Sequence, residues 1–236
     1  MEILLNRWLS FWEKIQNPGV YGEVLKGLRN TAYIAVVGLI IGIVIGTLIA
    51  VVRVVPKYKR IARILDKICT VYVAFFRGTP MVVQLLLGYY VMLPLLNITA
   101  DPLTVCVIIF GLNSGAYVSE IMRGGIMSVD IGQTEAGRAL GLSYATTMKK
   151  IVVPQAVKNI IPTLGNEFIT LVKETSIVSF VGALDLYKAF RNIGNSTYEY
   201  MVPYLMMAIV YIILVLIITL GIKLIERRLR RSDRRN

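Results

Sequence analysis

The chain has 236 residues, with 26 Lys and Arg against 14 Asp and Glu, a formal net charge of +12 and 56% hydrophobic residues. The apolar residues gather in long runs and the charges gather between them, which excludes a soluble globular enzyme and a disordered chain and reads as an all-α membrane protein. There is no histidine, which removes the commonest general base and metal ligand together; Cys69 and Cys106 sit in apolar stretches and read as small hydrophobes, so neither metal nor cofactor is expected.

Residues 1–23 form a mixed segment in which Trp8, Leu9, Phe11, Trp12 and Ile15 fall near helical spacing among Arg7, Glu13 and Lys14. An amphipathic helix at an extracytoplasmic membrane surface is expected there. The membrane domain is expected over residues 24–226 and a basic cytoplasmic tail over 227–236.

The first span is read over residues 31–52, a charge-free stretch long enough for about 30 Å of hydrocarbon at ~1.5 Å per residue. Gly38, Gly42, Gly46 and Ala50 recur every fourth residue and predict a face that a neighbouring helix approaches closely. Pro56 breaks the basic loop that follows. Residues 68–96 are apolar but interrupted at Arg77-Gly78-Thr79-Pro80, and read as one crossing, mainly 81–96, after an interfacial or partly buried segment. The third span is read over 102–122, with Asn113, Ser114, Gly115 and Glu120 inside it or near its end. A polar interruption at 123–158 precedes an unusually polar fourth span, 160–184, and the fifth span is read over 201–224.

Lys and Arg are distributed six in 53–67, five in 123–158 and seven from Lys223 onward, against none in 97–101 and two in 185–200. Five spans are therefore expected, with the C-terminus in the cytoplasm. Topology and contact with anionic lipid account for the basic balance without nucleic acid.

The 123–158 segment reads as a short helix, a glycine turn at Gly141 and a second helix limited by Pro154. Thr134 is the expected N-cap. Ala136, Gly137 and Ala139 keep one surface low, so that either a partner or the second helix packs on it.

The run Glu135-Ala136-Gly137, then Gly141, then Ile151 and Val153-Pro154 resembles the signature loop of ABC importer permeases, departing from it at Gly137, where the family has Ala, and at Val153, where it has Leu. Further stretches resemble the polar amino acid branch (histidine, glutamine and arginine types): residues 27–31, Phe76-Arg77-Gly78-Thr79-Pro80, Ser114-Gly115-Ala116-Tyr117, Gly165-Asn166-Glu167-Phe168 and Lys173-Glu174-Thr175-Ser176. The resemblance covers roughly residues 22–226. It implies a type I ABC importer permease fold with about five transmembrane helices in a bacterial-type inner or plasma membrane. It also implies a second permease copy, an extracytoplasmic amino acid binding protein, and an ATP-binding cassette subunit docked on the loop at Glu135, Ala136, Gly137, Ala139, Leu140 and Gly141. The chain itself would be no enzyme. It lacks the Gly-rich phosphate loop ending in Gly-Lys, so ATP would be handled by the partner.

On the fourth span, Thr163, Glu167, Thr170 and Glu174 fall at steps of four, three and four, which makes one polar stripe. Charge inside a bilayer costs at least ~2.5 kcal/mol, so this face is expected to look at protein or water. Glu167 and Glu174, with Asn166, Thr170, Asn113, Ser114 and Arg77, are the candidate substrate-pathway residues, the acids receiving an ammonium or a cationic side chain. The other reading is a structural network in which Lys173 or Arg77 neutralises an acid. For Arg77 alone, anchoring the break at Gly78 competes with contact to a substrate carboxylate. The two acids lean the substrate toward cationic amino acids; glutamine, glutamate or another polar amino acid is the alternative, and an ion-coupled carrier a distant one.

Overall fold

The computed structural model describes residues 1–231, and among these every regular element is helical. Helix α1 (Glu2–Ile15) is followed by α2 (Pro18–Val54), α3 (Arg60–Gly78), α4 (Met81–Leu86), α5 (Leu93–Leu95), α6 (Pro102–Met127), α7 (Ile131–Ala139), α8 (Tyr144–Thr147), α9 (Val153–Glu174), α10 (Leu186–Thr197) and α11 (Met201–Arg231). Helices α2, α6 and α11 are long and apolar enough to cross a membrane, and the broken pair over Arg60–Gly78 and Met81–Leu95 makes a fourth candidate. The expected fourth span, 160–184, is instead a 22-residue helix ending at Glu174 and continued by a 3-10 segment, Thr175–Val181. It is not among the helices apolar enough to count as spans by composition, because Glu167, Lys173 and Glu174 lie within it. Of the expected tail, residues 232–236 lie outside the described residues.

The contacts divide the chain into two compact units, one of residues 1–38, 79–111 and 170–217, the other of 39–78, 112–169 and 218 onward. In the first, the amphipathic α1 inserts Phe11 among Leu186, Phe190, Ile193 and Val202, with Trp8 and Ile15 packed against them, while Leu5, Leu9 and Trp12 stay exposed. Asp185 caps α10, its carboxylate accepting from the backbone N–H of Tyr187 and Lys188 at 3.0 and 2.9 Å. The stretch at 27–31 clasps that cap. Asn30 Nδ2 donates to Leu184 O at 2.8 Å, the N–H of Leu186 donates to Thr31 Oγ1 at 3.2 Å, and a Cβ on Gly27 would stand 2.6 Å from Asp185 O.

In the second unit, α2 and α6 meet through the glycine face expected from the sequence. A Cβ on Gly42 would meet Ser114 Oγ at 2.6 Å, and one on Gly46 would meet Val118 Cβ at 2.7 Å. Each helix advances four residues between these contacts, so the two backbones run close over successive turns.

Pro154, expected to limit its helix, and Pro94 both lie in helical stretches that run on past them. Pro154 does not stop the chain: α8 widens into a π turn, Met148–Val152, and continues directly as α9. Pro94 likewise follows a π turn, Leu87–Met92. In both cases the missing N–H and the ring's clash with the carbonyl four residues back are absorbed by a wider turn rather than a break. Pro80 acts differently. It occupies the N-cap of α4 with extended backbone, and Gln84 Nε2 reaches back to Thr79 O at 3.0 Å and Thr79 Oγ1 at 2.9 Å. The break after Gly78 is thus built into the motif that predicted it.

Candidate functional site

The hairpin of α7 and α8 starts at Asp130, whose carboxylate accepts from Gly132 N at 2.6 Å. Thr134, the expected cap, lies inside α7. An aspartate four residues upstream, three residues past the end of α6, captures the free N–H groups first. Ser143 caps α8 and its side chain accepts from Thr146 N at 3.2 Å. Between the two helices Gly141 takes φ +74°, the left-handed conformation that closes the turn. Gly137 is buried, and a Cβ there would meet Thr147 Cγ2 and Oγ1 at 2.7 Å. The low surface of α7 is therefore used by α8 at this position. Glu135, Ala136, Ala139, Leu140 and Gly141 remain exposed, Leu140 at 79%.

Glu167 is buried on α9, 9% exposed, and accepts from Ser114 Oγ at 3.1 Å. Ser114 is itself pressed by Gly42. Two of the expected pathway residues are thus brought together, and the glycine face on α2 sets the position of one of them. Asn113 turns elsewhere: it is buried and its Nδ2 donates to Phe76 O at 3.4 Å. Asn166 is exposed and Thr170 half-buried on α9, and Glu174, also half-buried, is the helix's last residue.

Arg77 pairs with neither Glu167 nor Glu174. Its Nη1 lies 3.9 Å from Glu120 Oε2 and its guanidinium stands over the Tyr117 ring at 5.4 Å. Glu120 gathers two further arginines. Arg53, from the end of α2, donates to Oε1, and Arg123 donates to Oε2 through Nε at 3.2 Å and Nη2 at 2.8 Å. The sequence carried only half of this signal. Glu120 and Arg123 are a helical i,i+3 pair, whereas Arg53 and Arg77 arrive by tertiary packing.

Residues 38–231 match the family described as binding-protein-dependent transport system inner membrane component. The chain belongs to that family. It is 40% identical over 210 residues to the arginine transport system permease protein of Bacillus subtilis (strain 168), covering 89% of this chain and 94% of the relative. It is also 40% identical over 206 residues to a putative glutamine transport system permease protein of Rickettsia prowazekii (strain Madrid E), covering 87% and 92%. A crystal structure of an amino acid ABC transporter with histidines contains a chain 36% identical to this one, with a TM-score of 0.83 over 92% of this chain and 98% of that one. The fold is that of a type I ABC importer permease, and the chain is an amino acid ABC permease subunit embedded in the membrane.

Proposed function

We propose that this permease imports polar amino acids, cationic ones first, driven by an ATP-binding cassette subunit seated on α7 and fed by an extracytoplasmic binding protein. The observation that carries the cationic reading is Glu167, a carboxylate kept within the helical bundle on the polar face of α9. An acid retained at such a position has to be matched by donors or by a cation. Glu174, Asn166 and Thr170 extend the same face, and Ser114 supports it from α6. Arg77, joined to Glu120, is read as the anchor of the break after Gly78 rather than as a carboxylate receptor. A relative equally similar to this chain is named for glutamine, so a neutral polar substrate is the second reading.

For coupling, Glu135, Ala136, Ala139, Leu140 and Gly141 offer the partner a small, partly apolar surface, with Gly137 beneath it holding α7 to α8. Closure of the ATPase subunits would push this hairpin and switch access by rigid-body motion. A second copy of the permease completes the path, and the C-terminus faces the cytoplasm.

The test is ATP hydrolysis by the reconstituted transporter with its binding protein, screened against amino acids. Stimulation by arginine, lysine or histidine supports the cationic reading; stimulation by glutamine alone replaces it with the neutral one. Uptake by liposomes holding this chain alone would overturn the coupling.

A further inference from the structure

The cluster around Glu120 is out of balance. Arg53, Arg77 and Arg123 all direct their ion pairs at this one carboxylate. Three guanidiniums against one carboxylate leave two positive charges in excess. The nearby Asp66 does not relieve it, since Lys57 Nζ holds Asp66 at 2.6 Å. Asp130 is committed to the cap of α7. Like charges crowded in a site of reduced dielectric repel strongly, and a second anion relieves that repulsion.

The excess is open to the outside. The side chains of Arg77 and Arg123 are 45% and 34% exposed. Tyr117 backs the plane of Arg77, which leaves the fork of N–H groups pre-set for a planar or tetrahedral oxyanion. Helix α3 also carries an exposed apolar stripe, Ile61, Ile64, Ile68, Val71 and Phe75, at steps of three and four. Phe75 and Arg77 are two apart and point to opposite sides of the helix, so the stripe turns one face of α3 toward lipid while Arg77 joins the cluster on the other.

We infer that Arg53, Arg77 and Arg123 bind the phosphate of an anionic phospholipid of the surrounding bilayer. The phosphate shares the arginines with Glu120: the carboxylate offsets one of the three charges, and the lipid neutralises the remainder. The inference rests on the proposed orientation, which puts the cluster at the cytoplasmic leaflet, where anionic lipids concentrate. It needs neither a particular substrate nor a working ATPase partner.

The purified permease in detergent is offered phosphatidylglycerol, phosphatidylcholine or inorganic phosphate, and retained lipid is counted by native mass spectrometry. Wild type retains phosphatidylglycerol over phosphatidylcholine. The preference falls about 5-fold for each of Arg77→Gln and Arg123→Gln, at roughly the strength of one cation near an anionic headgroup. Arg77→Lys keeps the charge without the fork and falls in between, which separates lipid binding from misfolding should a glutamine variant fail to fold. Millimolar inorganic phosphate leaves the lipid in place. Equal retention of the two lipids by wild type, or an unchanged preference in the folded Arg77→Gln and Arg123→Gln proteins, overturns the inference. Displacement by inorganic phosphate overturns it too, in favour of a free-anion site. Retention in detergent is blind to orientation and transport, so failure here leaves the import reading standing, and failed import leaves this result standing.

Discussion

Helices α2 and α6 meet twice, by opposite chemistry. At Gly42 and Gly46 they meet dry, with no room for a single added methyl against Ser114 and Val118. Near the end of α2 they meet through Arg53 and Glu120, partly exposed charged side chains. The glycine contact fixes how close the two backbones come and tolerates no error. The ionic contact fixes which ends meet, but long side chains can adjust and solvent can screen them. Precision and tolerance are thus divided along one helix pair, and substitutions at the two places should differ in cost.

The largest effect is expected from Gly46→Leu. A bare Cβ already stands 2.7 Å from Val118 Cβ and 2.8 Å from Ser119 N. Neither a backbone nitrogen nor a β-branched side chain can swing away. The loss should reach about 3 kcal/mol or more, at the upper end of overpacking, and appear as a large drop in the unfolding midpoint in detergent. A midpoint close to wild type would mean that the dry contact is as forgiving as the ionic one.

Gly137→Ala extends the comparison to a third tight contact, outside the long helices. The added methyl gains about 0.5–1 kcal/mol of helix propensity but strikes Thr147 Cγ2 and Oγ1 at 2.7 Å. A net loss of about 1 kcal/mol is expected. Thr147→Ala removes both struck atoms, so the double variant should recover most of that loss. Additive losses in a double-mutant cycle would show that the two residues do not share a contact. The signature that this loop resembles has alanine at this position, and the cycle reports whether Thr147 is what requires glycine here.

The dry contact was legible in the sequence because it has a period. Four small residues at steps of four can only make one face, and that face is buried. The break at Gly78 and the turn at Gly141 were legible for a similar reason, since glycine and proline act on their own backbone. The cap of α7 was misread, because Thr134 and Asp130 are both good caps and only the end of α6 decides between them. The ionic joint was legible only at Glu120 and Arg123, which share a helix turn. Arg53 and Arg77 reach it from 67 and 43 residues away, and no spacing rule links them. The pairing of Ser114 with Glu167 was hidden for the same reason, although each residue was a candidate by itself. Periodic and backbone-local features are written along the chain, whereas meetings between side chains of different helices are not.

The smallest change in stability is expected from Glu120→Gln, and its direction with salt is the sharper readout. The amide keeps the shape and still accepts hydrogen bonds, but it no longer offsets the three guanidiniums. Because Arg77 and Arg123 are about half and a third exposed, screening limits the loss to about 0.5 kcal/mol. Added salt should weaken attraction in wild type but relieve pure repulsion in the variant, so raising ionic strength should narrow the gap between their unfolding midpoints. Retention of phosphatidylglycerol should move the other way, since the variant's arginines lose their internal anion and bind an external one more tightly. A variant that loses both stability and lipid would show that Glu120 holds the arginines in place before it competes for them. In that case the joint, like the glycine face, would depend on geometry more than on charge.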